Sequence, residues 1–309
     1  MTPDAHLETG SLRLPAVVVH GGAGEFARAT SPKDVSRVYD GMSAALGAAW
    51  KVLVRGGAAL DAAVEAVACL EASGHFNAGR GAVATSQGTV ETDSAVMDGA
   101  SGHIGAICCA TWPDSPVRAA RAVLSLGGPA EGPVLLAGPG ADRFCEEAGL
   151  VKRDPSLLTG AGVEPVSRHG TVGAIAVDTA GHLAAATSTG GRLGQLPGRV
   201  GDSPIAGAGT WADDESVAVS ATGAGESFVV AGFAHLIAWS ALAGSPLAEA
   251  LGKALGAVRS RGGCGGGIAL DRSGRFALGF DTPGMARGWQ DAAGRTIPPL
   301  WARQSPVES

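Results

Sequence analysis

The sequence predicts an α+β fold in which β-sheets are covered on their outer sides by helices. Strand-like and helical segments alternate in batches along both halves of the 309-residue chain. Two hairpins are predicted in the second half, over 171–188 and 266–280, with polar or glycine-containing turns between their strands. Because buried strands flanked by helices need cover on their outer faces, this pattern favours a layered sandwich over a Rossmann sheet.

Six elements are predicted in the first half from apolar spacing and from turn residues. Apolar residues at helical intervals indicate helices, short apolar runs indicate strands, and Gly56-Gly57 ends the first long helix. A proline in the first turn supports the third helix. The elements are strand 15–19, helices 38–53 and 60–70, strand 104–111, helix 116–126 and strand 134–137.

The apolar period disappears between about residues 149 and 169, where Pro, Gly and charged residues are typical of a linker. Regular structure resumes abruptly at Thr171. The elements predicted after this point are strands 171–177, 182–188 and 216–221, helices 227–241 and 246–258, and strands 266–270 and 275–280.

Composition excludes several classes of function. A net charge of -6, with Lys and Arg scattered singly, gives no footprint for nucleic acid or for a membrane surface. The five cysteines lack zinc-site spacing, and their odd number and apolar neighbours indicate reduced thiols. Neither a signal peptide nor an apolar run of about 18 residues is recognised, so a cytoplasmic protein is predicted.

The junction Gly170-Thr171, where the linker meets a strand, is the candidate catalytic feature. A threonine hydroxyl is a poor nucleophile without a base, and no histidine lies in a familiar hydrolase motif. The α-amine of an N-terminal threonine has a pKa of about 8 and can serve as that base. Such chemistry requires chain cleavage before Thr171. A Gly-Thr pair at the start of a strand is ordinary by itself, so the hypothesis needs further motifs.

Those motifs occur in order from about residue 17 to residue 288. Each alone is also explained by a strand end or a turn. Together they resemble the plant-type L-asparaginase / isoaspartyl peptidase family. They are HGGAG at 20–24, NAGRG at 77–81, GTVGAIAVD at 170–178, ATSTGG at 186–191, PGRVGDSP at 197–204, TGAGE at 222–226 and GFDTPGM at 279–285.

The resemblance implies a four-layer αββα sandwich of the N-terminal-nucleophile (Ntn) hydrolase type. It implies a precursor that cuts itself between Gly170 and Thr171, giving an α chain of residues 1–170 and a β chain of residues 171–309. The two chains are expected to stay together as one structural domain and to pair as a dimer of αβ heterodimers. The implied reaction is hydrolysis of the side-chain amide of L-asparagine or of β-aspartyl peptides through a threonine acyl-enzyme.

By similarity, Thr171 is the nucleophile of both self-cleavage and amide hydrolysis. Thr189 is expected beside it, with its hydroxyl bonded to the amine or the oxygen of Thr171. The Thr222 hydroxyl and the Gly223 N–H match the oxyanion-hole positions of the family. Donors aimed at developing negative charge are often worth about 3–4 kcal/mol each.

The remaining matches concern substrate binding. Arg199 corresponds to the residue that holds the substrate α-carboxylate, and Asp202 to the residue that pairs with the α-ammonium. A free aspartyl head group is a zwitterion, so it needs one donor fork and one anion. Asn77 and Gly225 also match substrate-binding positions.

No cofactor is required by this chemistry, but the family carries a structural sodium ion held mainly by backbone carbonyls. The corresponding loop runs from Leu70 to Arg80 and includes Glu71 and Ala78. Carbonyl oxygens suit such a hard cation.

Two departures from the family pattern leave alternatives open. The linker of about twenty residues is short for the family, and Asp281 stands where the family usually has Asn. A glycosylasparaginase (N4-(β-N-acetylglucosaminyl)-L-asparaginase type) would use the same nucleophile, but such enzymes usually have His-Asp before it, whereas this chain has His169-Gly170. An uncleaved, inactive homologue that acts as a binding protein is the other alternative. A phosphate-binding module is disfavoured because no Gly-x-x-x-x-Gly-Lys-Ser/Thr run is present.

Overall fold

The computed structural model describes residues 5–24, 31–157 and 170–298 of the chain. Within them the strands, in chain order, are β1 (His6–Ser11), β2 (Ala16–Gly24), β3 (Thr92–Asp98), β4 (Ile104–Ala110), β5 (Leu135–Ala137), β6 (Val172–Val177), β7 (Leu183–Thr189), β8 (Thr210–Ala212), β9 (Ala218–Gly223), β10 (Gly265–Leu270), β11 (Arg275–Phe280), β12 (Gly284–Asp291) and β13 (Gly294–Thr296). They form an eight-stranded sheet of order β13-β12-β2-β6-β7-β3-β4-β5 and a five-stranded sheet of order β1-β11-β10-β9-β8. Strand pairing is antiparallel except between β4 and β5. Thus β6, which follows the Gly170-Thr171 junction, lies in the middle of the larger sheet.

The helices are α1 (Pro32–Leu53), α2 (Ala59–Ser73), α3 (Pro116–Leu124), α4 (Gly138–Glu147), α5 (Gly225–Ala231), α6 (Phe233–Leu242) and α7 (Leu247–Arg259). Ser31 caps α1 through a reciprocal capping box with Asp34. Gly74, in the left-handed conformation, ends α2.

Successive side chains of a strand point to opposite faces of its sheet, so they belong to different apolar clusters. On β6, Val172 and Ala174 pack with α1 and α2, whereas Ile175 and Val177 point toward the smaller sheet. The cluster between the sheets combines such residues with Ile268, Leu278 and other side chains of the smaller sheet. The outer face of the smaller sheet packs against α5, α6 and α7. Each sheet therefore buries one face against helices and the other against its partner sheet.

The long periodic segments behave as the sequence predicts. Helices 38–53, 60–70, 116–126 and 246–258, and the hairpin strands of the second half, are confirmed with boundary shifts of a few residues. The single helix predicted over 227–241 is wrong. Gly232 has a φ of 60° and separates α5 from α6. Several elements were not predicted: β1, β3, β8, β12, β13 and α4. Most of the predicted linker, residues 158–169, lies outside the described residues.

Among the described residues, one segment, Gly225–Leu242, is apolar and long enough to cross a membrane by length and composition alone. The expectation that no apolar run reaches this length was therefore too strong. The segment is broken at Gly232, and Phe228, Phe233 and Ile237 pack it onto the smaller sheet. A core helix with this packing passes the same test, so the segment is weak evidence for a membrane span.

Candidate active site

Thr171 lies at the entry to β6, buried to 5% exposure between the two sheets. Its backbone N–H donates to Thr222 Oγ1 at 3.1 Å. Its own hydroxyl oxygen lies 3.4 Å from Ser203 Oγ. The side chain follows the same strand face as Ile175, because residues two apart point to the same side. The hydroxyl therefore projects into the space between the sheets.

A cavity of about 280 Å³ opens beside Thr171. Its walls bring together residues that are far apart in the sequence. The predicted site residues in its lining are Gly170, Thr171, Thr189, Arg199, Asp202 and Gly223. Ser203 lines the cavity next to Thr171. Cys264, Thr282 and Pro283 also line it.

The glycine turn at the end of β2 packs directly on the Gly170-Thr171 junction. Gly22 has a φ of 100°, which side-chain-bearing residues rarely adopt. A Cβ placed at Gly22 would lie 3.0 Å from the Gly170 Cα and 3.5 Å from both the nitrogen and the oxygen of Thr171. The absence of a side chain at Gly22 thus permits the backbone to approach this bond closely.

The residues predicted for the oxyanion hole lie next to Thr171. Thr222 Oγ1 accepts from Thr171 N–H and, at 3.2 Å, from Ala23 N–H, which leaves its own proton available for donation. Gly223 packs tightly on β10, where a Cβ would come within 2.5 Å of the Cys264 carbonyl oxygen. Thr189 shares the cavity, but its hydroxyl accepts from Gly191 N–H at 3.0 Å. Among the described residues it makes no hydrogen bond to Thr171.

Arg199 forms an ion pair with a carboxylate of the protein itself. Its Nε donates to Glu226 Oε1 at 2.9 Å and its Nη2 to Glu226 Oε2 at 3.0 Å. This bidentate bond lowers the pKa of Glu226 to about 2. The pair occupies the Nε–Nη2 edge of the guanidinium. On the Nη1–Nη2 edge, Nη1 lies 3.5 Å from Gln195 Oε1, so a second planar anion there would compete with this long contact.

Asp202 is a buried carboxylate close to that guanidinium. Its side chain is almost fully enclosed, and its Oδ2 has no hydrogen-bond partner among the described residues. Burial raises the pKa of Asp202 to about 7, partly offset by the charge of Arg199. A Cβ at Gly225 would lie 2.7 Å from Arg199 Nη2 and 3.0 Å from Asp202 Oδ1. A side chain at position 225 would therefore collide with both groups, which explains the glycine. Gly225 itself does not line the cavity.

Comparison with known proteins agrees with this geometry. The sequence model of the asparaginase family matches residues 13–166 and 159–297. The chain belongs to the asparaginase family.

Three relatives in the asparaginase family cover most of the chain. An isoaspartyl peptidase of Salmonella typhimurium is 40% identical over 298 residues, which span 88% of this chain and 94% of that protein. The isoaspartyl peptidase of Escherichia coli is also 40% identical, over 88% of this chain and 92% of its own length. A plant-type L-asparaginase of Pyrobaculum calidifontis is 38% identical, over 89% and 97% respectively.

Within this asparaginase-family site, Asn77 occupies a supporting position. Its Nδ2 donates to the Gly191 carbonyl at 2.7 Å, and its Oδ1 accepts from Val83 N–H at 3.1 Å. Both polar groups are thus used to tie its loop to the turn after β7. The side chain does not line the cavity, and the predicted substrate contact of Asn77 stays a prediction.

Asp93 has a similar supporting position that the sequence did not reveal. It is buried, and its carboxylate accepts from Cys109 N–H at 2.8 Å and from Gly201 N–H at 3.4 Å. Burial raises the pKa of Asp93 to about 6. These bonds anchor the loop that carries Arg199 and Asp202.

The side chains named for a sodium ion do not form a ligand set. The Glu71 carboxylate accepts from Ser115 Oγ at 2.5 Å, from Ser188 Oγ at 2.6 Å and from Val117 N–H at 2.9 Å. Burial nevertheless raises the pKa of Glu71 to about 7. Leu70 presents a carbonyl that accepts from Ser73 Oγ, and Arg80 pairs with Asp114. Alanine at position 78 offers only its backbone. Glu71 therefore acts as an acceptor for three protein donors, and an ion in this loop would depend on backbone carbonyls alone.

A layer of buried polar side chains near Thr171 was also not predicted from the sequence. It contains His20, Thr187, Ser203, Thr210 and Ser220. A signal for it exists in the alternation of the strands. Leu183 and Ala185 face the apolar space between the sheets, and Thr187 continues the same face as a hydroxyl.

Proposed function

We propose that this chain is a self-activating amidohydrolase that hydrolyses the side-chain amide of L-asparagine and of β-aspartyl (isoaspartyl) peptides. The observation that carries the proposal is the position of Thr171. It directly precedes the central strand β6, follows Gly170 and shares a cavity with the guanidinium of Arg199 and the buried carboxylate of Asp202. The names of the bacterial relatives, isoaspartyl peptidases, and of the archaeal relative, a plant-type L-asparaginase, support this substrate class.

The proposal includes the architecture and the life cycle of the protein. The three apolar clusters support a four-layer αββα sandwich of the Ntn-hydrolase type. Cleavage would give an α chain of residues 1–170 and a β chain of residues 171–309 within one structural domain. We further propose a cytoplasmic enzyme, a dimer of αβ heterodimers, that needs no cofactor for the reaction.

Self-cleavage begins when Thr171 Oγ1 adds to the carbonyl carbon of Gly170. The carbon–nitrogen bond of the junction then breaks as the proton of the Thr171 hydroxyl passes to the nitrogen, which leaves Gly170 as an ester on Oγ1 and frees the α-amine of Thr171. Water hydrolyses the ester to a Gly170 carboxylate and restores the hydroxyl. The close packing of Gly22 on this bond supports the step because it confines the two reacting residues.

In turnover, the freed amine removes the proton from Thr171 Oγ1, which attacks the side-chain amide of the substrate. The Thr222 hydroxyl and the Gly223 N–H stabilise the oxyanion. The amine returns the proton to the leaving nitrogen, so ammonia or a peptide amine departs and an aspartyl ester remains. Water, activated by the same amine, hydrolyses that ester and releases aspartate.

The substrate head group is held by opposite charges. The Nη1–Nη2 edge of the Arg199 guanidinium binds the α-carboxylate through two parallel donors. Oδ2 of Asp202, which has no hydrogen-bond partner among the described residues, accepts a hydrogen bond from the α-ammonium. Glu226 orients Arg199 from its other edge, which lowers the entropy lost when the substrate binds.

Cleavage is tested directly by incubating the purified native chain and separating it on a denaturing gel. Two fragments are expected, and N-terminal sequencing of the smaller one should read Thr-Val-Gly-Ala-Ile, since the hydroxyl of Thr171 attacks the bond before it. A different start would place the nucleophile elsewhere. A single full-length band after prolonged incubation would contradict self-cleavage and would favour the alternative of an inactive binding protein.

The pH dependence of turnover reports on Asp202. Because burial raises its pKa to about 7, Asp202 is protonated in acid and gains the charge that binds the ammonium as the pH rises through that value. We therefore expect kcat/KM for L-asparagine to increase with pH through about 7, as kcat/KM follows ionisations of the free enzyme. Asp202→Asn should remove this component and leave the ionisation of the Thr171 amine. An unchanged profile in Asp202→Asn would contradict the assignment.

A further inference from the structure

The cavity beside Thr171 continues past this residue, on the side away from Arg199 and Asp202. The described residues that line this part of it, which we call the far wall, are Ala23, Gly24, Cys264, Thr282 and Pro283. The proposed reaction gives their side chains no part in bond breaking or in holding the head group of the substrate.

The order of the strands determines where the far wall lies. In the larger sheet β6 has β7 and then β3 on one side, and β2 and then β12 on the other. In the smaller sheet β9 has β8 on one side and β10 on the other. The two sheets are stacked in matching order, because β8 packs on β3 and β7 whereas β10 packs on β2. The space between them therefore has a β3–β8 side and a β2–β10 side, with β6 and β9 in the middle.

The residues of the proposed reaction follow this order. Thr171 directly precedes β6 and Gly223 ends β9, so the amide to be cleaved lies in the middle. Arg199 and Asp202 belong to the loop before β8, which donates a backbone hydrogen bond to Asp93 on β3. The head group of the substrate is thus held on the β3–β8 side.

The far wall lies on the opposite, β2–β10 side. Ala23 and Gly24 end β2, Cys264 directly precedes β10, and Thr282 and Pro283 directly precede β12. A substrate with its head group on the β3–β8 side and its amide carbon at Thr171 extends its leaving group toward the far wall. In a β-aspartyl dipeptide that leaving group is the second amino acid, whereas in asparagine it is only ammonia.

Alternation along β10 directs the Cys264 side chain into the cavity. A Cβ at Gly265 would lie 2.7 Å from Phe228 Cζ, on the outer face that the helices cover. A Cβ at Gly266 would lie 2.6 Å from Met285 Sδ, on the face between the sheets. Because residues two apart share a face, Cys264 points to the same side as Gly266. Of the five cysteines it is the only exposed one, so its thiol is also accessible to solvent.

Hydrogen bonds fix the segments of the far wall against each other. Gly265 N–H donates to Asp281 Oδ1 at 2.8 Å, and Asp281 N–H donates to the Gly265 carbonyl at 2.9 Å. Arg259 Nη1 lies 3.5 Å from the other carboxylate oxygen of Asp281. The Thr282 hydroxyl donates to the Gly284 carbonyl at 2.9 Å. The far wall is thus formed before a substrate binds, and a preformed surface can reject a ligand that clashes with it.

The far wall is largely apolar. It contains Ala23, Pro283 and Cys264, whose thiol packs as a small hydrophobic group. Burial raises the pKa of the Cys264 thiol, and the nearby Asp281 carboxylate adds to this effect, so the thiol is uncharged at neutral pH.

The charged side chains of the described lining lie elsewhere. They are Arg192, Arg199 and Asp202. Arg192 is 3.6 Å from Glu226, which is also the partner of Arg199. All three therefore belong to the head-group side of the cavity.

We propose that the far wall is the subsite for the leaving amino acid of a β-aspartyl dipeptide, that it favours an apolar side chain there, and that Cys264 limits the size of that side chain. This inference rests on the proposed function, because it requires the head group at Arg199 and Asp202. It makes Cys264 a residue that determines specificity and gives it no role in the chemical step.

The preference is measured as kcat/KM for L-asparagine, β-aspartyl-glycine and β-aspartyl-leucine. The two dipeptides differ only in the side chain that reaches the far wall, so the native enzyme should prefer β-aspartyl-leucine by roughly threefold or more. Cys264→Phe fills the subsite and should lower the ratio of kcat/KM for β-aspartyl-leucine to that for L-asparagine by roughly tenfold or more. Cys264→Ser keeps the size of the side chain and should retain most of the native ratio.

Ser260→Phe is the matched control. Ser260 is exposed at the end of α7, four residues before Cys264, and does not line the cavity. It should keep the native ratio, since a ring there adds bulk to the same connection without entering the subsite. An unchanged ratio in Cys264→Phe, an equal shift in Ser260→Phe, or equal native values for the two dipeptides would overturn the subsite. Native protein inactive on all three substrates would instead contradict the proposed function itself.

If Cys264→Phe does not fold, the folded native enzyme is treated with benzyl methanethiosulfonate. The Cys264 thiolate attacks the sulfenyl sulfur, which forms a mixed disulfide and releases methanesulfinate. The benzyl group should lower the same ratio roughly tenfold, and reduction with dithiothreitol should restore it. Treated Cys264→Ser should keep its ratio. A loss there too would assign the effect to another cysteine, and a labelled native enzyme with an unchanged ratio would overturn the subsite.

Discussion

Thr171→Ala is expected to remain a single chain and to lose amidase activity by roughly 10⁵-fold or more, since the nucleophile of both reactions is gone. Thr171→Ser keeps the hydroxyl and the potential amine, so it should cleave slowly and retain part of the turnover. The measurements are a denaturing gel over time and ammonia release from L-asparagine. Thr179→Ala, an exposed position in the turn between β6 and β7, is the matched control and should behave as native.

Two results would contradict this assignment. Cleavage of Thr171→Ala before residue 171 would mean that another group attacks the bond. Turnover by an uncleaved Thr171→Ala chain would mean that the cavity performs amide hydrolysis by a different mechanism. Circular dichroism of the variant is needed in either case, because Thr171 N–H also bonds to Thr222 and the fold must be shown to persist.

Arg199→Ala is expected to lower kcat/KM for L-asparagine by about ten- to several-hundredfold, because it removes a charge-assisted fork worth roughly 1.5–3 kcal/mol. The loss should also affect Asp202, whose ionisation Arg199 favours. Glu226 is largely exposed, so it can be solvated once its partner is gone. Self-cleavage should survive, since it needs no bound substrate. Arg199→Lys should recover only part of the loss because an ammonium cannot present two parallel donors.

The control for Arg199→Ala is Arg118→Ala. Arg118 forms a comparable two-bond pair with Glu65, at 2.9 Å for each bond, on a different part of the surface. Its removal should leave kcat/KM near the native value. Similar losses in the two variants would show that the effect is general destabilisation rather than lost substrate binding.

A comparison of two enzymes on two substrates completes the test of the proposed substrate-binding pair, Arg199 and Asp202. N-acetyl-asparagine lacks the ammonium and should be a poor substrate of the native enzyme, whereas Asp202→Asn should narrow the difference between it and L-asparagine. Equal losses for both substrates in Asp202→Asn would assign Asp202 a structural role. They would remove the argument for a zwitterion site.

The sequence was sufficient where local pattern and tertiary environment agree. The amphipathic period of α1 and the apolar alternation after Thr171 survive in the structure because each buries the face that the pattern marks. Strand β3 was missed because it carries Asp93 and Ser94, which look unlike a buried strand. Both are satisfied by partners from other elements, Cys109 N–H for the first and the Thr187 carbonyl for the second. Such partners are invisible in a local window of sequence.

The same limit explains which parts of the site were found. The motifs located Thr171, Arg199, Asp202 and Gly223, and the structure gathers them around one cavity. The bond from His20 to Ser220 joins residues 200 positions apart, so neither residue type nor spacing announces it. Asn77 shows the converse. Its motif places it near the cavity, but its actual hydrogen-bond partners depend on the folded loops.

The strand order of the larger sheet would give the proposed cleavage a lasting consequence. Strands from before and after the junction are interleaved there, with β12 and β13, then β2, then β6 and β7, then β3, β4 and β5. Two polypeptides woven in this way cannot part without destroying the sheet. The intact precursor folds as a single molecule, whereas the cut protein, once unfolded, would have to find its other half by collision. The proposed activation would thus give a structure that is assembled once, with a working lifetime set by how slowly it unfolds.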